Sequence, residues 1–178
     1  RVEAEEQGGY VISAIEPRRN YIIRRASNLS KESHIIAANI DRALLLVTLH
    51  SPTTPREFVD RFLVTCEAYK VPVTIVIGKA DTLVEEAEAE EFTAIYEDAG
   101  YEVIRLSSVT GEGVDQIRSM LRERTTLVAG NSGVGKSSII KLILGNDISY
   151  LGELNIQSNL KISYVSQETS DLKGNLTT

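Results

Sequence analysis

Apolar positions along the chain switch repeatedly between two rhythms. Residues 43–49, ALLLVTL, are an almost unbroken apolar run. That texture predicts a strand covered on both faces. After HSPTT, Pro55 stands where a first helical turn accepts proline. Phe58, Phe62, Leu63, Cys66 and Tyr69 then recur at helical spacing. The alternation repeats. VPVTIVI (71–77) reads as a strand and 84–99 as a helix ended by Gly100. YEVIRLS (101–107) reads as a strand and GVDQIRSML (113–121) as a helix. TTLVAG (125–130) reads as a strand and KSSIIKLIL as the helix after it.

Strands and helices alternating at this pace predict an α/β fold, a mostly parallel sheet with helices on both faces. Both ends of the chain have a different texture. YVISAI and YIIRR, separated by the turn-like EPRRN, predict two short strands before the alternation begins, and a polar stretch, residues 26–39, follows them. Beyond Gly145, ELNIQSNLKISYVSQ predicts two more strands around a polar turn, and ETSDLKGNLTT a loose tail. The expected division is therefore a β segment and linker over 1–38, an α/β domain over 39–145, and a second β segment over 146–178.

Composition narrows the picture little, apart from a few exclusions. No apolar run approaches the ~18 residues of a membrane span. The start, RVEAEEQGGY, lacks the charged-then-apolar pattern of a signal peptide and an initiator Met, so a fragment is expected. A single cysteine rules out an internal disulfide and a multi-cysteine zinc site, so no zinc is expected. Cys66 falls on the apolar side of its helix and is expected to be a buried thiol. The net charge of −6 argues against a uniformly basic, nucleic-acid-coating chain. Charge is uneven, however. Residues 85–98 carry seven acids and no Lys or Arg, which predicts a solvated helix face. PRRNYIIRR (17–25) carries four arginines. They are either a solvated accident or a local phosphate-contacting patch.

The chemistry concentrates at strand ends. Gly130, Asn131, Ser132, Gly133, Val134, Gly135, Lys136, Ser137 and Ser138 fit the phosphate-binding loop G-x-x-x-x-G-K-[ST]. The glycines let the backbone turn sharply and aim several N–H groups at phosphate oxygens. The positive end of the following helix points to the same place. Lys136 would reach the β- and γ-phosphates, and the Ser137 hydroxyl would bind Mg²⁺. A strand precedes the loop and a helix follows, the context that the motif requires.

A guanine reader needs a carboxylate for the N1 and N2 protons, usually within N-K-x-D. After VTIVI stand Gly78, Lys79, Ala80 and Asp81. Lysine and aspartate are correctly spaced, while Gly78 holds the Asn position. The plainer alternative is a strand-ending turn whose glycine serves conformation. One unit later, SSVTGEGVDQI (107–117) matches a second guanine loop, S-A-x followed by T-G-E-G, with Ser108 in place of Ala. There Ser107, Ser108 and Val109 would present a backbone N–H to guanine O6. Three such signals at successive strand ends fall where ligands bind in sheets of this kind.

The order is base loop, second base loop, phosphate loop, a cyclic shift of the ordinary GTPase order. With IEPRRNYIIRRASNLSKESHIIAANIDRALLLVTLHSP, FVDRFLVTCEAYKVPVTIVIGKADTL and TTLVAGNSGVGKSS, the chain resembles the circularly permuted small-ribosomal-subunit biogenesis GTPases (RsgA type) over residues 5–140. The resemblance implies a circularly permuted P-loop domain after a partial OB-fold, GTP and GDP as ligands, Mg²⁺, and a cytoplasmic protein hydrolysing GTP on the small ribosomal subunit. It makes Arg18, Arg19, Arg24 and Arg25 candidate contacts to ribosomal RNA. After its phosphate loop the family continues with a switch threonine, a D-T-P-G strand end and a zinc domain, and this sequence shows none of the three. DLKG (171–174) formally fits D-x-x-G without an apolar strand before it. Residues 139–178 instead resemble an ABC-F-type ATPase after its Walker A motif. In that reading Gln167, 31 residues after Lys136 (167 − 136), would touch Mg²⁺ and the attacking water and serve with Lys136 in catalysis. Two other functions stay open beside GTP binding: an ATP-binding module, or a non-catalytic RNA-binding scaffold. Hydrolysis is expected to be weak, and an uncovered sheet edge to invite self-association.

Overall fold

The computed structural model describes residues 2–4, 9–25 and 33–144. Gln167, DLKG and the rest of the expected β segment over 146–178 lie outside the described residues. The chain runs β1 (Val2–Ala4), β2 (Tyr10–Ile12), β3 (Tyr21–Arg25), β4 (Ser33–Ala38), β5 (Arg42–Val47), α1 (Arg56–Ala68), β6 (Val73–Gly78), α2 (Glu86–Asp98), β7 (Glu102–Leu106), α3 (Val114–Leu121), β8 (Thr126–Gly130) and α4 (Lys136–Leu144). Each strand and helix predicted between residues 43 and 144 is present, with ends shifted by a residue or two. Pro55 lies just ahead of α1, extended, as its N-cap.

Strands β5 to β8 form one parallel sheet in the order β7-β6-β5-β8. The chain steps outward from β5 to β6 to β7, then crosses back to place β8 on the far side of β5. Right-handed crossovers require the helices of the outward steps and of the return to lie on opposite faces. The cores follow that rule. Leu45, Val47, Ile75 and Ile77 pack against Val59 and Leu63 of α1 and Ala89, Phe92 and Tyr96 of α2. Leu44, Leu46, Val76, Ile104 and Leu106 pack against Val114, Ile117 and Leu121 of α3 and Ile139 and Leu142 of α4. Successive residues of β5 thus feed opposite cores, which is why its sequence reads as a continuous apolar run. Each fully buried leucine or isoleucine contributes roughly 1.5–3 kcal/mol.

The acidic run becomes α2, with Ala89, Phe92 and Tyr96 inward and most carboxylates outward. Three of those acids are not simply solvated. Glu86 pairs with Arg105, Glu91 with Arg56, and Glu88 stands 2.9 Å from His50 Nε2. Cys66 is fully buried, and burial pushes its thiol up to about 12, so it is inert at neutral pH.

Before the sheet, β1 pairs with β2 and β3 with β4, both antiparallel. Strand β4, SHIIAA, follows seven residues read as part of a polar stretch. Pairing with YIIRR makes it a strand where local pattern alone did not. A third cluster joins Ile22 of β3 to Ile40, Ala43, Cys66 and Val71, so the β3–β4 hairpin packs at the N-terminal end of the sheet. Asn20 fastens it. Its side chain receives the Ile40 N–H and donates to the Ile40 carbonyl, both at 2.8 Å.

Candidate nucleotide site

All four parallel strands end on the same side, so the loops after β5, β6, β7 and β8 share one rim. Strand order reverses between β5 and β8, the position at which doubly wound sheets bind ligands. The three predicted loops follow β6, β7 and β8, and the structure brings them together there.

The phosphate loop leaves β8 at Gly130, whose φ of 151° and lack of a Cβ are both required. A Cβ there would lie 2.5 Å from the Leu46 carbonyl of the neighbouring strand. Gly133 and Gly135 also take positive φ, 81° and 95°. Lys136 opens α4, and its ammonium folds back onto the loop, donating to the Gly130 carbonyl at 2.8 Å and the Asn131 carbonyl at 2.5 Å. The cation therefore sits at the centre of the loop, where an incoming phosphate would exchange carbonyl partners for stronger anionic ones. Ser132 and Ser137 are exposed; Asn131 and Ser138 are half-buried, and Val134 is fully buried under the loop. Ser137, in the first turn of α4, offers a hard hydroxyl oxygen of the kind Mg²⁺ takes.

On the base side, Gly78 ends β6 without a positive φ; Lys79 takes the left-handed conformation instead, at φ 57°. The glycine is therefore not there for conformation. Space around it is tight: a Cβ at 78 would meet the Val134 carbonyl at 3.1 Å. Lys79 Nζ donates to the Ser51 carbonyl at 2.6 Å. A 3₁₀ turn, Ala80–Thr82, carries Asp81 into solvent at the rim.

The second base loop is tied directly to the first. Ser107 is fully buried at the end of β7, and its hydroxyl donates to Asp81 Oδ1. The same Oγ accepts the N–H groups of Val109 and Thr110, each at 3.1 Å. One hydroxyl thus folds its own loop and aims the carboxylate. The expected offer of a Val109 N–H to guanine O6 meets a competitor here, since that N–H is already engaged. Ser108 is half-buried beside it. Gly113 lets α3 start against β7, because a Cβ there would fall 2.0 Å from the Arg105 carbonyl.

The arginines divide. Arg18 is exposed. Arg19 also ties the fold: its guanidinium donates to Asp41 Oδ1 at 2.9 Å and the Asn39 carbonyl at 3.2 Å, while the side chain stays 64% exposed. Asp41 in turn accepts the Thr125 N–H at 2.8 Å. That backbone bond, and then Arg19, hold the Asp41 carboxyl below its ordinary range. Arg24 and Arg25 lie on β3, with side chains outside the description.

Fold and site together define a P-loop nucleotide-binding domain of permuted motif order. The sequence model of the RsgA GTPase family matches residues 15–178, and the chain belongs to that family. Small ribosomal subunit biogenesis GTPase RsgA of Porphyromonas gingivalis strain W83 is 50% identical over 135 residues, 75% of this chain and 43% of that protein. The protein of the same name from Bacteroides fragilis is 48% identical over 141 residues, 78% of this chain and 46% of its own length. This chain thus spans less than half the length of those two relatives. Among solved structures, YjeQ from Thermotoga maritima superposes with a TM-score of 0.62 at 29% identity, covering 79% of this chain and 47% of that one. YloQ, described as a circularly permuted GTPase, gives the same TM-score and identity over 80% and 47%. The family match runs on through residue 178, across the segment read as ABC-F-like, and gives that reading no support.

Residues 48–54 were absent from the candidate list drawn from the sequence. Their one signal was HSPTT, a cluster of turn-forming residues at a strand end.

Proposed function

We propose that this chain binds guanine nucleotide with Mg²⁺, as a GTPase module directed to the small ribosomal subunit. The observation that carries this is the bond from Ser107 to Asp81, which holds a carboxylate at the rim beside the phosphate loop. An acceptor pair fixed there suits the N1–H and N2–H of guanine, and offers adenine, whose N1 is an acceptor and whose C2 carries no amine, no match. Lys136 and the loop amides would hold the phosphates, and Ser137 would hold the metal. A bound Mg²⁺, held by the Ser137 hydroxyl, would supply charge neutralisation to the phosphates.

Arg18 and Arg19, both exposed, and Arg24 and Arg25 of β3 are the candidate contacts to ribosomal RNA. Hydrolysis is slow in this reading, because phosphoryl transfer needs a group that orients water and a carboxylate that helps to hold Mg²⁺, and the segment up to the phosphate loop supplies neither. Self-association through a sheet edge belongs to the same reading; among the described residues β8 pairs with β5 alone. Titration with mant-GDP and mant-ADP in Mg²⁺ tests the central claim. A clear preference for GDP is expected, and an equal or adenine-favouring response would sink it.

A further inference from the structure

The loop between β5 and α1 touches both the first base loop and the phosphate loop. Thr48 Cγ2 lies 3.8 Å from where a Cβ at Gly78 would be. The Ser51 carbonyl accepts Lys79 Nζ at 2.6 Å. The Pro52 ring stands 3.4 Å from a Cβ position at Gly133, inside the phosphate loop. The loop is rigidly closed on itself. Thr54 Oγ1 accepts the Thr48 N–H at 3.0 Å, and the Thr54 N–H returns to the Thr48 carbonyl at 2.8 Å. Thr48 Oγ1 donates to the Pro52 carbonyl at 2.5 Å. Both threonines are buried, and the bond from the Thr48 N–H to Thr54 Oγ1 is made away from water.

We propose that residues 48–54 position the nucleotide site, joining base loop to phosphate loop in the place where Gly78 offers no side chain to do so. The Ser51 carbonyl holds the Lys79 stem across the base position. Pro52 abuts Gly133 and fixes the spacing between lysine and phosphate loop. Thr48 and Thr54 are positioning residues: they touch no ligand and act through Lys79. The inference rests on the guanine-nucleotide reading above.

The test is a double-mutant cycle read by mant-GDP affinity. Thr54→Val keeps shape but leaves the Thr48 N–H without its acceptor, and weakens mant-GDP binding about five- to tenfold; Thr54→Ser, which restores the hydroxyl, stays within about twofold of wild type. In a Lys79→Met background, Thr54→Val costs less than about twofold more, because its effect runs through that lysine. Fully additive losses, or a Thr54→Val protein that melts normally and binds GDP as wild type does, overturn the inference alone. A wild-type chain with no guanine preference removes both the inference and the reading beneath it. Should Thr54→Val fail to fold, amide exchange on the wild-type chain decides. GDP is expected to slow exchange at Thr48 and Thr54 together with Thr82; slowing at Thr82 without any at Thr48 and Thr54 overturns the proposal.

Discussion

The two sides of the site solve the same problem differently. On the base side, polar groups satisfy one another across elements. Ser107 on β7 serves Asp81 after β6 and two amides of its own loop. On the phosphate side, Lys136 bonds to carbonyls of the very loop it belongs to. The base side is set before ligand arrives, and binding adds bonds to groups already in place. The phosphate side has to exchange partners, so part of its binding energy goes into releasing the lysine. Preorganisation favours selectivity, and exchange favours affinity for charge of any base.

The sharpest way to break this contrast is Asp81→Ala. It removes a charge-assisted acceptor pair and should cost about 3 kcal/mol of mant-GDP affinity with little change for mant-ADP. A parallel loss for both nucleotides in fluorescence titration would show that the base side is not selective. Next comes Lys136→Ala, expected to cost about 2 kcal/mol and to weaken both nucleotides alike, by calorimetry in Mg²⁺. An effect confined to GDP would erase the distinction between the two sides. Ser107→Ala is expected to be smaller, about 1–2 kcal/mol in denaturant stability. It should lower guanine preference as well, since Asp81 loses its guide and two amides lose their acceptor. Unchanged selectivity there would mean that Asp81 is aimed by something else.

The smallest expected effect lies away from the rim, at Asp41, and serves as a control. Its folded carboxyl is held below the ordinary 3.8, first by the Thr125 N–H and then by Arg19. A depressed folded value means stability present at neutral pH and lost as pH falls through that value. Melting temperature should therefore drop on acidification below about pH 4. Asp41→Asn should flatten that limb without altering nucleotide selectivity. A selectivity change at neutral pH would show the two ends of the sheet to be coupled.

Most of the α/β core was legible because its cause is local. Leu44, Leu45, Leu46 and Val47 alternate between two faces, both buried, and an apolar run is the only sequence that suits them. Asp81 and Ser107 were each legible as motif members. Their bond to one another was not, because it depends on β6 and β7 lying side by side. Strand β4 was missed since its pairing with β3, not its own pattern, makes it a strand. Arg19 reads from the sequence as one of four clustered arginines, and its tie to Asp41 shows only once the fold brings the two together. The loop 48–54 left the faintest trace: its contact to Lys79 is a backbone carbonyl, which every residue has and no motif records.

One pairing carries a consequence in time. Strand β8 joins the sheet beside β5, and the Thr125 N–H reaches Asp41 across 84 residues of chain. Bringing such distant segments together delays the bond that rewards it. During synthesis from the N-terminus, β5, β6 and β7 and both base loops are made before β8 exists. The base reader is thus assembled first, and phosphate binding waits for the last strand of the four. Pulsed amide exchange during refolding should show β5 and β6 protected before β8. On the proposed reading, then, the ability to hold a nucleotide reports that β8 has joined the sheet.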